Sequence, residues 1–158
     1  GILFRLLEEG VGSWVALILS ATMFGAMHLG NPEATLWGAA AIAIEAGLLL
    51  GAAYMLTRNL WFVAGLHTAW NFVQGPVFGF TISGSDLVKE SLLVPVVQGP
   101  MWLTGGAFGL EASVVAVLGG LALAVLFATL AVRRGMVMRP LLWRAGFNRP
   151  REERMAVG

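Results

Sequence analysis

Leu60-Trp-Phe-Val-Ala-Gly-Leu-His67-Thr-Ala-Trp-Asn71 lies inside an apolar run that extends to Phe80. On a helix, His67 and Asn71 are about one turn apart and share a face, which Gln74 extends by a further turn. Polar side chains in so apolar a segment need partners, because an unpaired polar group in hydrocarbon is costly. The spacing therefore predicts a spanning helix whose single polar stripe faces other helices.

The composition agrees with a membrane setting. Of 158 residues, 58% are apolar and 12% charged, with a mean hydropathy of +0.79. A soluble domain of this size carries about 25% charged residues. The net charge is only +1, but seven of the ten basic residues lie beyond position 132, from Arg133, Arg134 and Arg139 to Arg144, Arg149, Arg151 and Arg154. A basic tail behind a spanning helix sets membrane topology, and nucleic-acid binding is not expected. The absence of cysteine removes disulfides, thiolate metal sites and cysteine nucleophiles. No signal peptide is visible, and the first residue is Gly.

Four spans are predicted. Ile2, Leu3, Leu6 and Leu7 give a short amphipathic N-terminal helix, with Arg5, Glu8 and Glu9 away from the apolar side and Gly10 and Gly12 ending it. The spans come next, at about 13–29, 34–57, 60–80 and 112–132. Asn31-Pro32-Glu33 is a turn. Gly47 and Gly51 form a Gly-x-x-x-Gly pair that permits close helix packing. Residues 81–111 form the one long connection, rich in Gly, with apolar patches suited to a membrane face. Residues 133–158 form an Arg-rich tail with an amphipathic piece at about 141–147 that fits an interface. The fold class expected is all-α, a multi-pass transmembrane helix bundle.

Counting charges orients it. With the N-terminus inside, Arg5, Arg58 and the seven tail arginines are inside and only Lys89 is outside, a split of 9 to 1. Both ends are then cytoplasmic.

Three ionisable residues fall within the predicted spans: His28, Glu45 and His67. Such residues are expensive at membrane depth and mark function by default. The only Asp is Asp86, in the connection, which excludes a two-aspartate protease. There is no Gly-x-Ser-x-Gly elbow and no His-Glu-x-x-His zinc helix. Imidazole, carboxylate and amide remain. The first two could activate a water, or hold a metal that does so. Imidazole and amide could stabilise an oxyanion.

These residues resemble a family. Phe24-Gly-Ala-Met-His28 is similar to its Phe-x-x-x-His motif, and His67-Thr-Ala-Trp-Asn71 to its His-x-x-x-Asn motif. Gly47-Leu-Leu-Leu-Gly51, and Leu103-Thr-Gly-Gly-Ala-Phe-Gly-Leu-Glu111 ahead of the last helix, also fit. The family is the CPBP intramembrane proteases, also called CAAX protease and bacteriocin-processing, or Abi, proteins. The resemblance runs to Val132. It implies an integral membrane endopeptidase, prokaryotic in setting, acting on a peptide or protein substrate. It implies that His28 helps a glutamate position the water and that His67 and Asn71 stabilise the oxyanion. A divalent metal such as zinc, held by His28 and His67, is left open, and Glu45 receives no catalytic role.

The family's first motif, Glu-Glu-x-x-x-Arg, is absent. Glu8-Glu9 supplies a pair, but Ser13 stands where Arg belongs. Gly1-Ile2-Leu3-Phe4 matches the family's Gly and apolar stretch directly after that Arg, so the chain reads as a piece of a longer protein, inert alone. Three expectations concern the site. His28, His67 and Asn71 share one pocket open to the cytoplasmic side. A groove lined by His28 and His67 marks the place of the missing upstream helix. The two His must overcome a depth mismatch of roughly 12 Å, reckoned at about 1.5 Å per residue from the span starts. A non-catalytic membrane binding or bacteriocin-immunity protein on the same scaffold is the alternative. A transporter fragment is a third reading, though the paired repeats and broken helices expected of one are not seen.

Overall fold

Gly12, at φ 82°, separates the first two helices, α1 (Ile2–Val11) and α2 (Ser13–Met27). A 3-10 turn, His28–Gly30, closes α2. Thr35 then starts α3 (Leu36–Ile42) by accepting the Gly38 N–H at 2.8 Å. One π turn, Ala43–Gly47, joins α3 to α4 (Leu48–Thr57) in a continuous helix, which Arg58 ends in the left-handed region at φ 53°. Asn59 caps α5 (Leu60–Phe72), accepting the Trp61 and Phe62 N–H groups at 2.9 and 3.2 Å. A second π turn, Val73–Val77, carries the helix past Pro76. After a short α6 (Met101–Thr104), Ser113 caps α7 (Val114–Arg133). This computed structural model describes residues 2–86 and 88–141. The amphipathic piece at 141–147 and four of the tail arginines lie beyond the described residues.

The bundle is all-helical. Three helices are long and apolar enough to cross a membrane: Ser13–Gly30, Leu36–Thr57 and Val114–Arg133. The four spans expected from the sequence are corrected to three on this measure. The helix begun at Leu60 stops at Val77, not Phe80, and His67, Asn71 and Gln74 dilute its apolar character. Of the thirteen residues of α5 only Val63 is buried.

Close approach holds the bundle together. A Cβ on Gly47 would come within 2.9 Å of the Ala21 Cα, and one on Gly51 within 2.5 Å of a Leu17 methyl. The Gly-x-x-x-Gly pair is thus the face that α3–α4 lays on α2. On the opposite side α7 reaches the π turn through Gly120, whose Cβ would stand 2.6 Å from the Glu45 carbonyl oxygen. Gly120→Ala must shift backbone, and about 1–3 kcal/mol of stability is expected to be lost. Gly119→Ala, which would enter open space, serves as the control. Unfolding midpoints in detergent should separate the two, and equal midpoints would dismiss this packing.

Two apolar clusters mark the ends. Phe4, Leu17, Met55 and Ala131 pack where α1 meets the segment after α7, and Ile42, Phe108, Ala112 and Val117 pack at the other end. At the terminal end, Glu8 is fully buried. It accepts from Ser13 Oγ and is paired with Arg58, whose Nη2 also donates to the Met136 carbonyl. This corrects the expectation that Glu8 points away from the packed side of α1. The segment after α7 returns to the same place, with Ser13 N–H donating to Met138 O and Met138 N–H to Ser13 Oγ.

At the far end the long connection folds back rather than only lying along the surface. Asn31 Nδ2 donates to Ser83 O at 2.6 Å, Gly84 N–H to Phe108 O at 2.7 Å and Trp37 Nε1 to Ala112 O at 2.8 Å. Its middle, with Leu92, Val94 and Val96 exposed, matches the apolar patches expected against a membrane face.

Candidate functional site

His28 sits where α2 tightens into its 3-10 turn, and its Nδ1 donates to the Phe24 carbonyl oxygen at 2.7 Å. That bond leaves Nε2 as the acceptor. The Phe24 ring lies 4.8 Å from the His28 ring and 5.6 Å from the His67 ring, centroid to centroid, nearly perpendicular to the latter. One aromatic spacer therefore fixes both imidazoles, which gives the Phe of Phe-x-x-x-His a physical reason. The depth mismatch anticipated from the span starts is closed: both His line one cavity.

That cavity has a volume of about 30 Å³ and is walled by α2, α3–α4, α5 and the two ends of the connection. It has room for about two waters. Its polar lining is His28, Glu45, His67, Ser83 and Glu111. Asn71 is absent from that lining. It stands one turn behind His67, with Nδ2 3.3 Å from Nε2, and its Oδ1 is buried with no hydrogen-bond partner among the described residues. With Asn71 donating to Nε2, His67 carries its own proton on Nδ1. Gln74, the last member of the stripe, donates to Thr81 O at 2.7 Å instead.

Glu111 was not singled out as a site residue by sequence reasoning. It lies in the turn before α7, and the Ser83 N–H and hydroxyl hold both of its oxygens. Burial pushes its carboxyl up from the ordinary range, against the opposing pull of Ser83 and Gln74. Only its place at the end of Leu103–Glu111, a stretch that fitted the family, hinted at a role. Among the described residues no three His, Cys, Asp or Glu side chains converge as a metal site requires. These residues alone do not fit the zinc that the resemblance left open.

A larger groove of about 240 Å³ adjoins the cavity and shares Phe24, Leu50 and His67 with it. It runs past Met23 and Gly51 to Phe4 and Tyr54, towards α1. His67 lines this groove as expected. His28 does not, because its ring is turned into the cavity.

A helical bundle with a small imidazole–carboxylate cavity is the class these features define. The family model described as type II CAAX prenyl endopeptidase Rce1-like matches residues 1–73, a span that takes in both histidine motifs. Over that span the chain is similar to the CAAX protease family, and three of its helices are long and apolar enough to cross a membrane. No curated protein and no solved structure matches the chain.

Proposed function

We propose that the protein is an intramembrane endopeptidase in which His28 and His67 face a water and a scissile peptide bond at the cavity. The observation that carries this reading is the pair of imidazoles set around Phe24 on one small polar cavity. His28, with Nε2 free to accept, holds the water for a carboxylate base. Water oxygen bonds to the carbonyl carbon and the base takes its proton. The oxyanion meets the Nδ1–H of His67, which Asn71 holds in that tautomer by donating to Nε2. The resemblance implies a carboxylate base, and the groove beside His67 has room for one. Peptide or protein substrates enter from the bilayer. The end that carries Arg5, Arg58 and the segment after α7 faces the cytoplasm by the positive-inside rule.

The test uses the full-length protein in liposomes with a quenched peptide library, with and without a prenylated CAAX terminus. Cleavage is expected, and Asn71→Ala, which frees the His67 tautomer, should lower turnover by about 10²–10³-fold, the scale of losing the one oxyanion donor that His67 supplies. A library left intact under every condition would sink the assignment.

A further inference from the structure

Four ionisable side chains line the cavity, and the reaction above uses only the two imidazoles. Glu45 and Glu111 are each 3% exposed. They arrive from different parts of the fold, Glu45 from the π turn in the middle of a span and Glu111 from the turn ahead of α7. Glu111 is held by Ser83. Glu45 is not held: its Oε2 is buried and has no hydrogen-bond partner among the described residues.

An ionised carboxylate left so is costly in a low-dielectric site. Two carboxyls on one small cavity cannot both ionise cheaply, because each charge opposes the other. The charges able to answer them are few. The ionisable groups that face Glu45 are Glu111, His28 at the end of α2 and His67 on α5. From α7 the π turn meets Gly120, which brings no side chain. Nothing lets Glu45 withdraw either, because its backbone is pinned by that close approach. π turns of this sort recur at functional sites, where they re-aim a side chain at the expense of regular hydrogen bonding.

We propose that Glu45 and Glu111 hold one proton between them at the back of the imidazole cavity, and that Glu45 delivers it through a cavity water to the leaving nitrogen of the scissile bond. This rests on the hydrolytic reading given above. The step balances. Water oxygen bonds to the carbonyl carbon and one of its protons goes to the carboxylate base that the hydrolytic reading requires. The C–N bond breaks and the nitrogen takes the proton of Glu45. The proton on that base then returns to Glu45, so the net change is one peptide bond and one water to acid and amine.

Infrared spectroscopy of the full-length protein in liposomes tests the shared proton without any substrate. A protonated-carboxyl band is expected at neutral pH, lost in Glu45→Gln, where Ser83 holds the remaining Glu111, and shifted but kept in Glu111→Gln, where Glu45 retains the proton. With the quenched peptide library, Glu45→Gln should lower kcat by about 10²-fold or more at unchanged KM, as removal of a general acid does. Its pH profile should lose the alkaline limb, and Glu45→Asp should recover part of the rate. Circular dichroism confirms that each variant is folded. A missing band, a band indifferent to Glu45→Gln, or wild-type turnover in that variant overturns the proposal. If the wild-type protein cleaves nothing, the proton delivery falls with the hydrolytic reading, and the band alone then decides whether the shared proton exists.

Discussion

Alanine at His28 or at His67 is expected to lower the proposed peptide cleavage by about 10²–10⁴-fold, the range that one acid–base group or oxyanion donor supplies. The effect falls on chemistry because neither ring carries the packing of the bundle. Both are half-buried, and the contacts they share are with Phe24 and with polar groups of the cavity. The inserted amount and the helical content should therefore stay at wild-type levels. The double variant should be little worse than the more damaged single one, since groups that act as a unit are not additive. Activity retained by either single variant would remove that His from the mechanism. Loss of inserted protein would instead make the rings packing elements.

The largest effect on stability is expected at the opposite end. Arg58→Ala leaves Glu8 buried with Ser13 as its remaining partner, and breaking a buried pair in this sense costs about 3–5 kcal/mol. Glu8→Ala should cost less. The Arg58 side chain is 27% exposed, so its charge can turn to water, whereas the Glu8 side chain, 1% exposed, has no such exit. Unfolding in detergent checks the order of the two variants. Equal losses, or a larger one for Glu8→Ala, would contradict the asymmetry of burial.

Legibility in the sequence tracked the range of the interaction. His67 and Asn71 are four residues apart on one helix, and a turn-by-turn count finds them. Phe24 and His28 are read in the same way. The Gly47–Gly51 pair shows as a repeat of small residues, although only the structure shows that its neighbours are Ala21 and Leu17. Glu111 was invisible as a site residue because its partner, Ser83, is 28 positions away and both lie in a segment that reads as a loop. Glu8 was misjudged for a related reason. On a ten-residue helix the apolar pattern turned it outward, but an arginine 50 positions later draws it in. The count of spans failed at α5 because the polar stripe that makes the segment interesting also makes it a poor hydrocarbon crosser.

The tie between Ser13 and the backbone of Met138 joins residues 125 positions apart. Its consequence is one of order in time. During synthesis Ser13 and Glu8 leave the ribosome long before Met136 and Met138, so the set of partners around Glu8, Ser13 and Arg58 is completed only after α7 has been made.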